Sequence, residues 1–107
     1  MEYYLFDLLI ETTGDPKTFN CSHKVNEGLL VKGENIMFKP GTKQFSHYVL
    51  ASLMPFISAK QRADQPNDWM YFESDIACPD PLCGARFHIT RIKKRAYSYE
   101  PAKEHRE

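Results

Sequence analysis

A chain of 107 residues is long enough for one modest hydrophobic core and too short for a second. Its 14 Lys and Arg balance 14 Asp and Glu, which argues against a protein whose main work is neutralising phosphates, and so against nucleic acid as a partner. Acids at Glu2 and Asp7 interrupt the basic start and apolar stretch of a secretory leader, and no apolar run approaches the ~20 residues of a membrane span. The expectation is a cytoplasmic protein without a membrane segment.

Tyr3 to Glu11 is apolar on both alternating faces, with Asp7 as the single break, and this predicts a central strand. The segment TTGDPKTFNCSHK that follows is dense in turn formers and predicts a loop carrying Cys21 and His23. A short strand ends at Val31, Lys32-Gly33 closes it, and Glu34 to Phe38 offers a partner. From Thr42 the period changes: Phe45, Val49, Leu53 and Phe56 or Ile57 recur at helical spacing. Thr42 and Ser46 are the two candidate N-caps, and Pro55 predicts a kink or a restart. Lys60 to Asp68 is expected to be a polar loop.

The last third predicts two strands around the turn Cys78-Pro79-Asp80-Pro81-Leu82-Cys83-Gly84. Phe87 and Ile89 then point inward, and Arg86, His88 and Thr90 outward. Residues 1–95 read as a single domain. Residues 96–107 read as a charged C-terminal tail, ordered only over Ala96 to Tyr99.

All three cysteines lie in the two loops, and an odd count excludes a framework that pairs every one. Zinc takes four N or S ligands in a tetrahedron, usually presented in pairs on tight turns. Cys78 and Cys83 have four residues between them and Cys21 and His23 have one, so Cys21, His23, Cys78 and Cys83 form the candidate set for zinc or iron. Pro79 and Pro81 stiffen the later loop and reduce the entropy lost on fixing its thiols. The competing reading is that these are buried cysteines at strand ends that never meet. A nucleophilic cysteine served by His23, His47 or His88 is another reading, although no local sequence matches a nucleophile signature. Arg91 to Arg95 with Tyr97 and Tyr99 would suit RNA, against solvated charges at a strand end.

In the order of these segments the chain resembles a family of small bacterial and archaeal proteins for which no reaction is established. The matching residues are Leu5 to Ile10, Cys21 with His23-Lys24-Val25, the Leu- and Pro-rich helix Leu50 to Ile57, Asp75 to Asp80 with its Ala-Cys-Pro-Asp turn, and Phe87 to Ile92. The likeness runs nearly to Arg95. Some relatives carry a further cysteine at the start of the helix, where this chain has Ser46 beside His47. If the family's cysteines form a site, the resemblance implies that Cys83 or His47 stands in here.

These readings converge on an α+β fold, a small, mainly antiparallel, curled or barrel-like sheet with one kinked helix packed across it. The leading functional expectation is a non-catalytic binding module, an accessory subunit or homo-oligomer component that meets a protein partner and serves a metabolic enzyme. The alternative is a small metal-binding protein with a Cys/His site that could be catalytic.

Overall fold

Residues 1–101 are described by a computed structural model, and their architecture follows from one strand with partners on both sides. Strand β1 (Glu2–Thr13) pairs antiparallel with β2 (Gly28–Lys32) on one side and with β5 (Arg86–Ser98) on the other. The short strands β3 (Asn35–Phe38) and β4 (Ser74–Ala77) complete a five-stranded sheet of order β3-β2-β1-β5-β4. Every pairing is antiparallel. The sheet is open, with β3 and β4 at its edges, rather than closed into a barrel.

One helix, α1 (His47–Arg62), crosses the sheet and buries Val49, Leu53 and Ile57. These three meet Leu8, Ile10, Leu29, Val31, Phe87 and Ile89 in a single core. The helix begins later than its apolar period suggests. Ser46 is the cap, its Oγ accepting from the Val49 N–H at 3.4 Å, while the Thr42 hydroxyl accepts from the Gly28 N–H at 2.8 Å. Phe45 therefore packs on the core from the approach to the helix. Pro55 lies within one continuous helix, without a restart. Pro55 and Ala51, whose carbonyl loses its helical partner, are both exposed, so water can satisfy the orphaned oxygen and the break is tolerated.

Two expectations fail at the far end of α1 and along β5. Lys60 does not begin a polar loop; it is fully buried. Its Nζ donates to the Phe72 carbonyl and to Ser74 Oγ, both at 2.8 Å, and more weakly to the Trp69 carbonyl at 3.4 Å. Burial, then the nearby Arg91 charge, pushes its pKa down, with Asp68 opposing. Arg91 donates to the carbonyls of Lys60 and Ala63 at the helix C-terminus, where a cation is favoured.

β5 continues well past Thr90 because the whole of β1 is available to pair with it. The register shifts between Asp7 and Leu8, and Ile92 is the extra residue on β5. Arg95 donates to the buried Asp7 carboxylate at 2.6 Å. The basic stretch is thus partly spent on internal contacts. The expected strand end becomes a paired strand through Ser98, and the tail beyond residue 101 lies outside the described residues. Among the described residues no helix is long and apolar enough to cross a membrane.

Replacing Lys60 with Met keeps the aliphatic volume but leaves the Phe72 carbonyl and Ser74 Oγ without their donor. Lys60→Met is expected to cost about 2–4 kcal/mol in denaturant unfolding; a loss below ~0.5 kcal/mol would show that the ammonium is dispensable.

Candidate metal centre

The two cysteine loops leave the sheet at the same end because of strand pairing. Thr13 is the last residue of β1 and Arg86 the first of β5, and the two are partners in the ladder. The loop that follows β1 and the loop that precedes β5 therefore start side by side.

Each loop is shaped by its own residues. In the early loop Gly14 adopts a positive φ of 113°. Asp15 then caps a short 3₁₀ turn over Pro16–Thr18, its carboxylate accepting from the Lys17 N–H at 3.0 Å. In the late loop the Asp80 carboxylate accepts from the Leu82 N–H and the Asp80 carbonyl from the Cys83 N–H, both at 3.0 Å. The Cys78 N–H reaches the Ala85 carbonyl at 3.2 Å and closes that loop at its base.

The loops then lock together through backbone. The Gly84 N–H donates to the Thr18 carbonyl at 2.8 Å, and the Asn20 N–H donates to Cys83 Sγ at 3.3 Å. A Cβ on Gly84 would stand 1.9 Å from Thr18 Oγ1 and 2.6 Å from Thr18 Cβ, so only glycine permits this approach. Gly84 was legible in the sequence as a turn residue, but its contact with Thr18 was not, because that contact belongs to the tertiary fold.

The result is that Cys21, Cys78 and Cys83 converge, their sulfurs all within 4.8 Å of one another. Cys21 and Cys83 are 3.5 Å apart, sulfur to sulfur. Each sulfur also accepts from the backbone N–H two residues on: Cys21 from His23, Cys78 from Asp80 and Cys83 from Ala85. Such donors favour the thiolate. Burial opposes them at all three sites. At Cys83 the N–H groups of Ala85, Asn20 and Cys21, with the Cys21 thiol, outweigh burial and bring the pKa down to about 7. At Cys21 and Cys78 burial prevails, reinforced by Cys83, and both pKa values are raised. The cluster thus accommodates one thiolate readily and resists a second.

Of the four predicted ligands, His23 stands apart from this cluster. It is buried edge-on between Phe45 and Phe87, at centroid distances of 4.6 and 5.1 Å. Its Nε2 accepts from the Ser46 N–H at 3.3 Å, a bond that positions the start of α1. Burial lowers its pKa, with Glu27 partly opposing. His47 lies exposed against Tyr48, and His88 bonds to Asp75 and Glu73 at 2.7 and 3.1 Å. The ring bonds of His23 and His88 go to the Ser46 N–H, Asp75 and Glu73, not to a thiol, whereas a nucleophilic cysteine is activated by a base in hydrogen-bond reach.

Cys21 and Cys78 line an open groove of about 470 Å³, together with Ser22, Ser46, Tyr48, Val49, Pro79 and Asp80. Cys83 is not part of its wall. A larger cavity of about 690 Å³ opens between α1 and the β2–β3 turn, and neither cysteine nor histidine lines it. No family model matches this chain, and no similar protein is found among curated proteins or solved structures.

The sulfur geometry depends on the Gly84–Thr18 contact. In metal-free protein the oxidant diamide is expected to couple Cys21 to Cys83, consuming two thiols of the three. Gly84→Ala should slow this coupling by about tenfold or more, in the range that supporting contacts contribute to such sites. Coupling at the wild-type rate, followed by thiol titration and peptide mapping, would show that the glycine does not position the sulfurs.

Proposed function

We propose that the protein binds one soft divalent metal ion through Cys21, Cys78 and Cys83, with the fourth coordination position open to the groove. The observation that carries this reading is the mutual approach of the three sulfurs within 4.8 Å. In a tetrahedral zinc site with bonds of about 2.3 Å, neighbouring sulfurs stand about 3.8 Å apart. The Cys21–Cys83 separation of 3.5 Å is already close to that edge.

Zinc suits the set best, since thiolates select soft or borderline ions and zinc accepts three protein ligands with an exchangeable fourth. Iron takes the same donors and is the second choice. A cation also answers the electrostatic problem of the cluster, because ligands must be deprotonated and the ion offsets the repulsion between thiolates.

Protein purified without a histidine tag is expected to carry close to one equivalent of zinc. Adding zinc to metal-free protein at neutral pH should release between about two and three protons per ion, because Cys83 is partly ionised beforehand. Affinity should fall as pH falls and the thiols regain their protons. Cys78→Ser should abolish tight binding. A metal content below about a tenth of an equivalent, with no zinc uptake on addition, would end the proposal.

A second reading, the accessory subunit or oligomer component, draws on β3. Ile36, Met37 and Phe38 of this edge strand are all exposed, and an exposed apolar edge invites pairing with another chain. Light scattering is then expected to report a mass above that of one chain, and Met37→Lys should reduce it. A wild-type protein that stays monomeric at high concentration and recovers no stoichiometric partner removes this reading.

A further inference from the structure

Resting on the metal-binding reading, we infer that the fourth position accepts a small organic thiol, which enters the groove and binds the ion through its sulfur. The polar side chains around the groove are poorly placed to close the site themselves. His23 does not line the groove and neither of its ring nitrogens falls within the cluster of potential ligands, while Ser46 Oγ accepts from the Val49 N–H. Asp80 uses one carboxylate oxygen to hold the Leu82 N–H, and its carboxylate falls outside the cluster of potential ligands.

Position decides from which side a ligand arrives. Cys21 and Cys78 form part of the groove wall, while Cys83 lies behind it, only 4 % exposed. An ion held by all three therefore presents its remaining position to the groove. The space, about 470 Å³, far exceeds the roughly 30 Å³ share of one water, so there is room for a ligand with a carbon skeleton. Val49, Pro79 and the Tyr48 ring supply apolar wall for that skeleton, and Ser22 and Asp80 supply polar edges.

Chemistry favours sulfur as the donor. A centre with three thiolates is soft, and a fourth sulfur matches it better than carboxylate or alcohol oxygen. Three thiolates around a divalent ion leave the centre net negative, which opposes a further anion. Ser46, the N-cap of a 16-residue helix, lines the groove, and the positive end of the helix dipole offsets part of that charge. On binding, the thiol S–H bond breaks and its proton goes to solvent; a metal–sulfur bond forms and the bound water leaves. Nothing is oxidised or reduced. The product is a metal-held thiolate at neutral pH, a nucleophile presented to whatever shares the groove.

Cobalt(II) in place of zinc makes the test visible, with 3-mercaptopropionate as the thiol and propionate as the sulfur-free control. The full-length cobalt protein should show tetrahedral visible bands before thiol is added. Mercaptopropionate is then expected to raise the near-ultraviolet sulfur-to-cobalt absorbance by about one third, four sulfurs replacing three, with the visible bands retained. Propionate should leave the spectrum unchanged. Intact visible bands with no response to saturating thiol would overturn the inference while leaving the metal site standing, and bleaching of those bands, which reports cobalt stripped from the protein, would overturn it equally. Absence of tetrahedral bands before any thiol is added would instead sink the metal-binding reading on which the inference rests.

Discussion

The pairing of Thr13 with Arg86 at the end of the β1–β5 ladder is the constraint from which the candidate site follows. Antiparallel strands deliver the chain leaving one and the chain entering the other to the same point in space. Without that register, residues 21 and 83, far apart in sequence, would have no reason to meet. The ladder is long, spanning Glu2↔Ser98 to Thr13↔Arg86, and β1 is supported on its other side by β2. A loop contact that would be improbable in isolation is therefore seeded by the strongest pairing in the fold.

Electrostatics then makes the cluster unlike three ordinary buried cysteines. A thiol buried among apolar groups is normally inert, its pKa raised. Here every sulfur also faces a backbone N–H two residues ahead, a local geometry set by turn residues rather than by charge. Those donors act at fixed positions and cost nothing to orient at the moment a proton leaves. They suffice to ionise Cys83 near neutrality and not its neighbours, since two thiolates a few ångströms apart repel in a poorly solvated setting.

How much of this was legible in the sequence depends on whether the deciding force was local. The apolar period Val49-Leu53-Ile57 and the two-sided apolar run of β1 are local patterns, and both elements form. That both cysteine loops exist was likewise visible in their Gly, Pro and Asp content. That the three cysteines would converge without His23 was not legible, because spacing from Cys21 says nothing of direction. The His23 ring fills the gap between Phe45 and Phe87, a packing preference that only the assembled core creates. Lys60 and the long β5 escaped for a similar reason. A lysine can be buried if carbonyls at fixed positions await its ammonium, and a charged strand can persist if a partner strand runs beside it and supplies Asp7 for Arg95.

The manner in which the loops are held also bears on what kind of site they can form. In small metal-folded domains the ion supplies the energy that orders the ligands, and all four positions are needed. In this chain the ordering has other sources: the Gly84–Thr18, Cys78–Ala85 and Cys83–Asp80 backbone bonds, none of which involves a sulfur. Phe19 adds an apolar anchor from the early loop to the core. Since the sulfurs are held together by backbone and packing, an ion would meet a largely preformed face and need contribute little to folding. A site relieved of that structural duty can leave one position unfilled, and the groove beside Cys21 and Cys78 lies where such a position would open.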